Sequence, residues 1–283
     1  MIETRQDGTK RRPGMAIAAV ALVVGLLGLG PLRAEYEGEV QWFDLVTEDV
    51  EVAMAFYTGL VGWEFELTPT GSYIAILNDV SVAGVSEIDD AIPDVDEATW
   101  LPAVVVTDLP KAVATARELG ATIHEEIQRL PTYGSWAVIG DPQGAVVELV
   151  VLERSLGSTE GVGSWVWSEL WTDDLDGSYG FYEAVVGWQR SEADREEGAY
   201  PLFAWDGDAR AGLVPIGEEE EMGTGWAPYL GVADLAAAVE KTRELGGEVL
   251  QEPAEEFGGG RIAVLADPTG GAFFVYELGE VSE

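Results

Sequence analysis

Trp42-Phe43-Asp44-Leu45-Val46-Thr47, followed by Asp49, Phe56-Tyr57 and Val61-Gly62-Trp63, returns as Trp167-Ser168-Glu169-Leu170-Trp171-Thr172, Asp174, Phe181-Tyr182 and Val186-Gly187-Trp188. Nine of these positions are identical at a single offset of 125 residues, and several are Trp, Tyr or Gly, so the chain carries an internal copy of itself. Further on the offset becomes 126. Val106-Thr107-Asp108-Leu109 answers Val232-Ala233-Asp234-Leu235, and Arg117-Glu118-Leu119-Gly120 answers Arg243-Glu244-Leu245-Gly246. Ala137-Val138-Ile139-Gly140-Asp141-Pro142 answers Ala263-Val264-Leu265-Ala266-Asp267-Pro268. The repeat sets one module at residues 38–153 and a second at 163–279. The glycine-rich, polar stretch 154–162 has no apolar period and reads as a linker. Paired modules commonly build a site from the faces they turn toward each other, so the expected site lies between the copies.

Residues 1–34 belong to neither copy. They carry five Lys or Arg against two acids and lead into an unbroken apolar stretch over 15–32. A basic start, an apolar run and a small residue before the polar Glu35 fit a secretory signal peptide, with an uncleaved inner-membrane anchor as the alternative. Either way the modules are expected outside the inner membrane, and the only membrane contact expected is through that segment. The chain has no cysteine, which excludes disulfides, thiolate metal sites and a cysteine nucleophile. Its formal net charge is −37, with acids spread along the whole length, which excludes nucleic acid as a partner and fits solubility in a salty medium.

Within the first module the apolar pattern predicts a strand at 40–46, a helix at 50–60 ending near Gly62, and strands at 72–77 and 80–85 around Asn78-Asp79. A second unit follows: a strand at 101–106, a helix at 110–119 capped near Asp108, and strands at 122–124, 135–139 and 145–151. This is an α+β fold with two βαβββ units per module, each pair curling into a cup-shaped mixed sheet with helices outside.

The strand phrase with Phe-Tyr and Gly-Trp, the Val-x-Asp-Leu before the second helix, and the turns Asp141-Pro142-Gln143-Gly144 and Asp267-Pro268-Thr269-Gly270 resemble the vicinal oxygen chelate superfamily. That superfamily includes glyoxalase I, bleomycin resistance proteins and extradiol dioxygenases, and the start of each module is similar to a tandem glyoxalase-like subgroup. The resemblance implies a divalent metal held by His or Gln on the first strand, often His on the fifth, and Glu on the last. Here the first position is Trp42 or Trp167, the fifth-strand position Leu101 or Ala227, and the last Glu148 or Phe274. Glu148 alone survives, and an indole N–H has no lone pair to give a metal. No His-ligated metal and no other cofactor is therefore expected. The single histidine, His124, is read as a solvated strand end.

Strand alternation puts Asp44 beside Trp42 and Glu169 beside Trp167 on one face. If that face lines the cup, the two acids are candidate general bases or partners for a cationic ligand, with Glu148 near Asp44; the competing role is to order the strand curl. Tyr73 and Tyr200, Trp100 and Trp226, and Tyr133 and Phe257 are repeat-matched aromatics that could wall a pocket, although any one of them could equally be core. Phe56, Tyr57, Trp63, Phe181, Tyr182 and Trp188 are read as core. Arg261, in a chain poor in cations, is a candidate anion contact, with a surface salt bridge as the competing role. The reading is an exported tandem protein that binds a small organic molecule in its cups. The competing readings are a lyase, isomerase or dioxygenase-related enzyme using carboxylates, with or without a divalent metal, and an envelope interaction protein with filled cups.

Overall fold

The computed structural model describes residues 37–88, 98–130, 134–153, 160–195, 198–217, 223–255 and 257–279. The leader 1–34, most of the linker and Tyr133 lie outside them. Each of the four repeat aspartates starts a helix: Asp49, Asp108, Asp174 and Asp234 accept from the backbone N–H of Val52, Lys111, Gly177 and Ala237 at 3.1, 3.1, 2.9 and 2.8 Å. Each satisfies one otherwise orphaned donor of the first turn, typically worth about 1 kcal/mol.

The first module runs β1 (Val40–Thr47), α1 (Val50–Val61), β2 (Glu64–Leu67), β3 (Tyr73–Leu77), β4 (Val80–Glu87), β5 (Thr99–Val105), α2 (Leu109–Glu118), β6 (Thr122–Leu130), β7 (Gly134–Gly140) and β8 (Val146–Leu152). The second runs β9 (Trp165–Thr172), α3 (Leu175–Val185), β10 (Gln189–Arg195), β11 (Gly198–Trp205), β12 (Asp208–Pro215), β13 (Gly225–Val232), α4 (Leu235–Glu244), β14 (Glu248–Gln251), β15 (Ile262–Ala266) and β16 (Ala272–Glu277). Each forms one eight-stranded sheet, in the order β2-β3-β4-β1-β5-β8-β7-β6 and its counterpart β10-β11-β12-β9-β13-β16-β15-β14. The central pairs β1·β5 and β9·β13 are antiparallel, while β1·β4, β5·β8, β9·β12 and β13·β16 are parallel. Two βαβββ units joined edge to edge per module are thus what the sequence pattern called for. The short β2 was missed: Glu64–Leu67 is only four residues long and mostly exposed, so its alternation is too brief to stand out. Among the described residues no helix is long and apolar enough to cross a membrane.

The expectation of a site between the modules is overturned. One apolar cluster joins Phe43, Leu45, Phe56, Tyr57 and Trp63 of the first module to Leu230, Leu235, Val239, Phe273 and Val275 of the second. Another joins Val104, Val113 and Leu149 to Leu170, Phe181, Tyr182 and Phe203. The helix-bearing faces therefore pack against each other, and the concave faces point away. Each helix carries an apolar stripe that one sheet alone leaves partly bare, so the second module completes its burial.

Hydrogen bonds lock this interface reciprocally. Tyr57 donates to Asp267 Oδ2 at 3.0 Å, and Tyr182 donates to Asp141 Oδ2 at 3.1 Å. Trp63 Nε1 donates to the Gly163 carbonyl at 2.8 Å, and Trp188 Nε1 to that of Gly38 at 2.7 Å. The six aromatics read as core are core, and the polar ends of Tyr57, Trp63, Tyr182 and Trp188 reach across to the other module.

Candidate functional site

The second sheet curls around a cavity of about 610 Å³. Its wall is Val166, Trp167, Leu202, Ile262 and Tyr276, with Glu169, Tyr200 and Tyr229 at a polar centre and the exposed Arg195 beside them. Alternation along β9 aims Trp167 and Glu169 inward, while Leu170 faces the inter-module core. Both Glu169 oxygens are used: Tyr200 donates to Oε1 and Tyr229 to Oε2, each at 2.5 Å. The Tyr200 oxygen in turn accepts from Trp167 Nε1 at 2.9 Å. Burial first, and then the Glu169 charge, push both phenols well above their ordinary range, so they remain neutral donors. The Arg195 guanidinium lies 3.3 Å from the centre of the Tyr200 ring. Gly212 stands opposite Glu169 in the sheet register, and a Cβ there would fall 1.7 Å from the Tyr200 oxygen. Only a bare backbone lets the phenol reach the carboxylate.

The first sheet presents a different centre. Asp44, Glu125, Glu148, Trp42 and Trp136 are all nearly or fully buried. Trp136 Nε1 donates to Glu125 at 3.3 Å. Burial raises the Asp44 carboxyl to about 6, with the neighbouring Trp42 and Glu148 side chains pulling the other way. Glu148 is pushed well above its ordinary range, first by burial and then by the neighbouring Asp44 and Glu125 charges. Neither Glu148 oxygen has a hydrogen-bond partner, so nothing in the structure offsets the cost of burying its charge. Gly84 faces Asp44 as Gly212 faces Glu169, and a Cβ there would fall 1.8 Å from Asp44 Oδ1. On the same concave face Val46, Leu101 and Val138 are in contact.

The structure brings Trp42, Asp44 and Glu148 together in one cup and Trp167, Glu169 and Tyr200 in the other. It separates the remaining candidates. Tyr73 packs against the helix-side core, because the register that pairs Leu202 with Gly212 pairs Ile74 with Gly84 and so makes Ile74 the counterpart of Leu202. Ser72, not Tyr73, stands where Tyr200 does. Trp100 and Trp226 also belong to the inter-module core, where their Nε1 atoms donate to Tyr57 and Tyr182 at 3.1 Å. Arg261 donates to the Glu277 carbonyl at 2.5 Å and lies over the Tyr276 ring, so it braces the end of β16. Phe257 joins the apolar wall of the second cup. His124 is half-buried on the edge strand β6 against Gly140 and not at a solvated strand end. Tyr229 and Arg195 were missed. Tyr229 had a readable signal, since it lies two residues after Ala227 on the same face; Arg195, in a strand of charged residues, had none.

A model of the Glyoxalase/Bleomycin resistance protein/Dioxygenase superfamily matches residues 39–149 and again 165–274. The chain belongs to this superfamily. It is 33% identical over 253 residues to the Mycobacterium bovis protein named "Putative glyoxylase CFP32", covering 87% of this chain and 97% of that protein. It is 30% identical over 262 residues to the anthracycline biosynthesis protein DauV of Streptomyces sp. strain C5, covering 86% and 94%. Among solved structures, the 2,3-dioxygenase LapB from Pseudomonas sp. KL28 superposes with a TM-score of 0.57 at 13% identity, over 86% of this chain and 94% of LapB. The Mn(II)-bound glyoxalase from Novosphingobium aromaticivorans gives the same TM-score at 14% identity, over 86% and 82%. At such identities these two show the shared fold.

The metal found in that glyoxalase has no fitting donor set at the corresponding strands here. Ala227 lies beside Glu169 in the register, and Phe274 stacks on Tyr229 with ring centres 4.6 Å apart, where the superfamily places a carboxylate. In the first sheet Leu101 stands opposite Asp44, and Trp42 offers an N–H. Among the described residues no group of three or more His, Cys, Asp or Glu is placed to hold a metal ion.

Proposed function

We propose that this superfamily member binds a small, partly aromatic organic molecule in the cup of its second module. The observation that carries the reading is the cavity of about 610 Å³, with indole and phenol walls converging on a hydrogen-bonded Glu169 and an exposed arginine. Its size and mixed lining suit a small-molecule site. The similarity to an anthracycline biosynthesis protein supports a flat, oxygen-bearing aromatic as occupant, because such rings stack on Trp and Tyr. A thermal-shift screen of the full-length protein against a panel of oxygenated aromatics should yield hits whose stabilisation is lost in Ala209→Trp. Ala209 is exposed and lines the cavity, so the indole fills space without cutting into the core. Hits that stabilise Ala209→Trp equally would reject the second cup as the site.

A second reading rests on the first cup. A buried carboxyl raised to about 6, beside a second buried carboxyl pushed well above its ordinary range, has the properties of a general acid–base pair, as a lyase or isomerase needs. The similarity to a glyoxylase-named protein favours it. Turnover that disappears in Asp44→Asn would establish it. We also propose export, supported by the basic start and the apolar run over 15–32. A reporter that is active only outside the cytoplasm, fused after Glu35, should be active, and an inactive fusion would reject export.

A further inference from the structure

The hydrogen-bond inventory of the second cup limits what its ligand can present. Around the polar centre three side-chain protons are already committed: Trp167 Nε1 to Tyr200, Tyr200 to Glu169, and Tyr229 to Glu169. Glu169 is acceptor-only, and the Tyr229 oxygen, which donates one bond, keeps lone pairs on the cavity side. The centre therefore offers acceptors. The remaining side-chain donors of the wall are Arg195 and the half-buried Tyr276.

We propose that the ligand of the second cup is a hydroxylated aromatic acid, whose hydroxyl donates to the Tyr229–Glu169 centre and whose carboxylate meets Arg195. This rests on the reading of the second cup as a binding site. A carbonyl or ether oxygen turned toward the centre would face lone pairs and bury them without a donor, and the penalty for an unpaired buried polar group makes the selection strong. Beside this centre, the guanidinium over the Tyr200 ring can present its N–H edge to an anion while it stays on the phenol. The rest of the wall includes the apolar Val166, Leu202 and Ile262, which can hold the ring.

The test compares 6-hydroxy-2-naphthoate and 4-hydroxybenzoate, each with its O-methyl ether, by titration calorimetry on the full-length protein. At least one hydroxy acid should bind tenfold or more tighter than its ether. Tyr229→Phe should narrow that contrast to within about threefold, and Arg195→Gln should weaken the hydroxy acid tenfold while leaving the contrast in place. The comparison between ligands needs no variant, so it decides the matter even if Tyr229→Phe fails to fold. Equal affinity for acid and ether, or tighter binding of the ether, overturns the proposal. If none of the four binds while other aromatics occupy the cup, the donor-and-anion pairing is wrong and the binding reading stands. If no aromatic binds at all, both fall.

Discussion

Asp44→Asn should make this protein more stable at neutral pH and change it little in acid. The Asp44 carboxyl is raised from 3.8 to about 6, chiefly because burial disfavours its charged form. In the unfolded chain it ionises near 3.8, so between roughly pH 4 and 6 the folded state holds the proton more tightly. The stability this group contributes is then fully present below about pH 4 and is lost as pH rises through about 6. Two units at about 1.36 kcal/mol each come to roughly 3 kcal/mol, and no discount for solvent applies because the side chain is buried. An asparagine keeps the shape and has nothing to ionise. Urea unfolding of both proteins, followed by tryptophan fluorescence at constant ionic strength from pH 4 to 7.5, should show the variant gaining about 3 kcal/mol on the parent across that range. The general slope from the net charge of −37 is nearly common to both and cancels in the difference. A difference that stays constant with pH, or grows toward acid, would refute the claim that Asp44 is buried against its own charge.

Tyr182→Phe removes a bond to the buried Asp141 and strands the Trp226 N–H, so it should cost about 3 kcal/mol and lower Tm by roughly 6–12 °C in a single transition; separate unfolding of the two modules in calorimetry would contradict the interlocked interface. Gly212→Ala should displace Tyr200 from Glu169, cost about 1–3 kcal/mol, and abolish ligand-induced stabilisation, read by melting with and without a screening hit. Zinc, iron or manganese should not co-purify in stoichiometric amount with the untagged protein; metal that is retained and then lost in Glu148→Ala, measured by elemental analysis, would overturn the donor-set argument.

The repeat made the fold legible, because residues that recur in order at a fixed offset can only be repeated structure. The capping aspartates and the alternation placing Asp44 beside Trp42 were legible for the same reason: each depends on neighbours within a few positions. What failed depended on register across a loop. Between Trp63 and Ile74 the second copy gains three residues, since Trp63 matches Trp188 at 125 but Ile74 matches Leu202 at 128. A match made one residue off put Tyr73 on the wrong face, as a period of two requires. The hydrogen bond from Tyr57 to Asp267 spans 210 residues and leaves no local trace, so the Asp-Pro turns read only as turns. The face-to-face site was misjudged for a simpler reason. Helix stripes need covering, and the second copy covers them.

The reciprocal lock also says something about descent. Tyr57 and Tyr182, Trp63 and Trp188, and Asp141 and Asp267 are the same residues in both copies, and each reaches into the other copy. Asp44 and Glu169, Ala103 and Tyr229, and Glu148 and Phe274 are matched cup positions, and they differ. This is the pattern expected of an ancestral symmetric dimer whose gene was duplicated in tandem and fused. The residues of the reciprocal lock were answerable to their twins and stayed, while the two cups shared none of the matched positions above and were free to specialise.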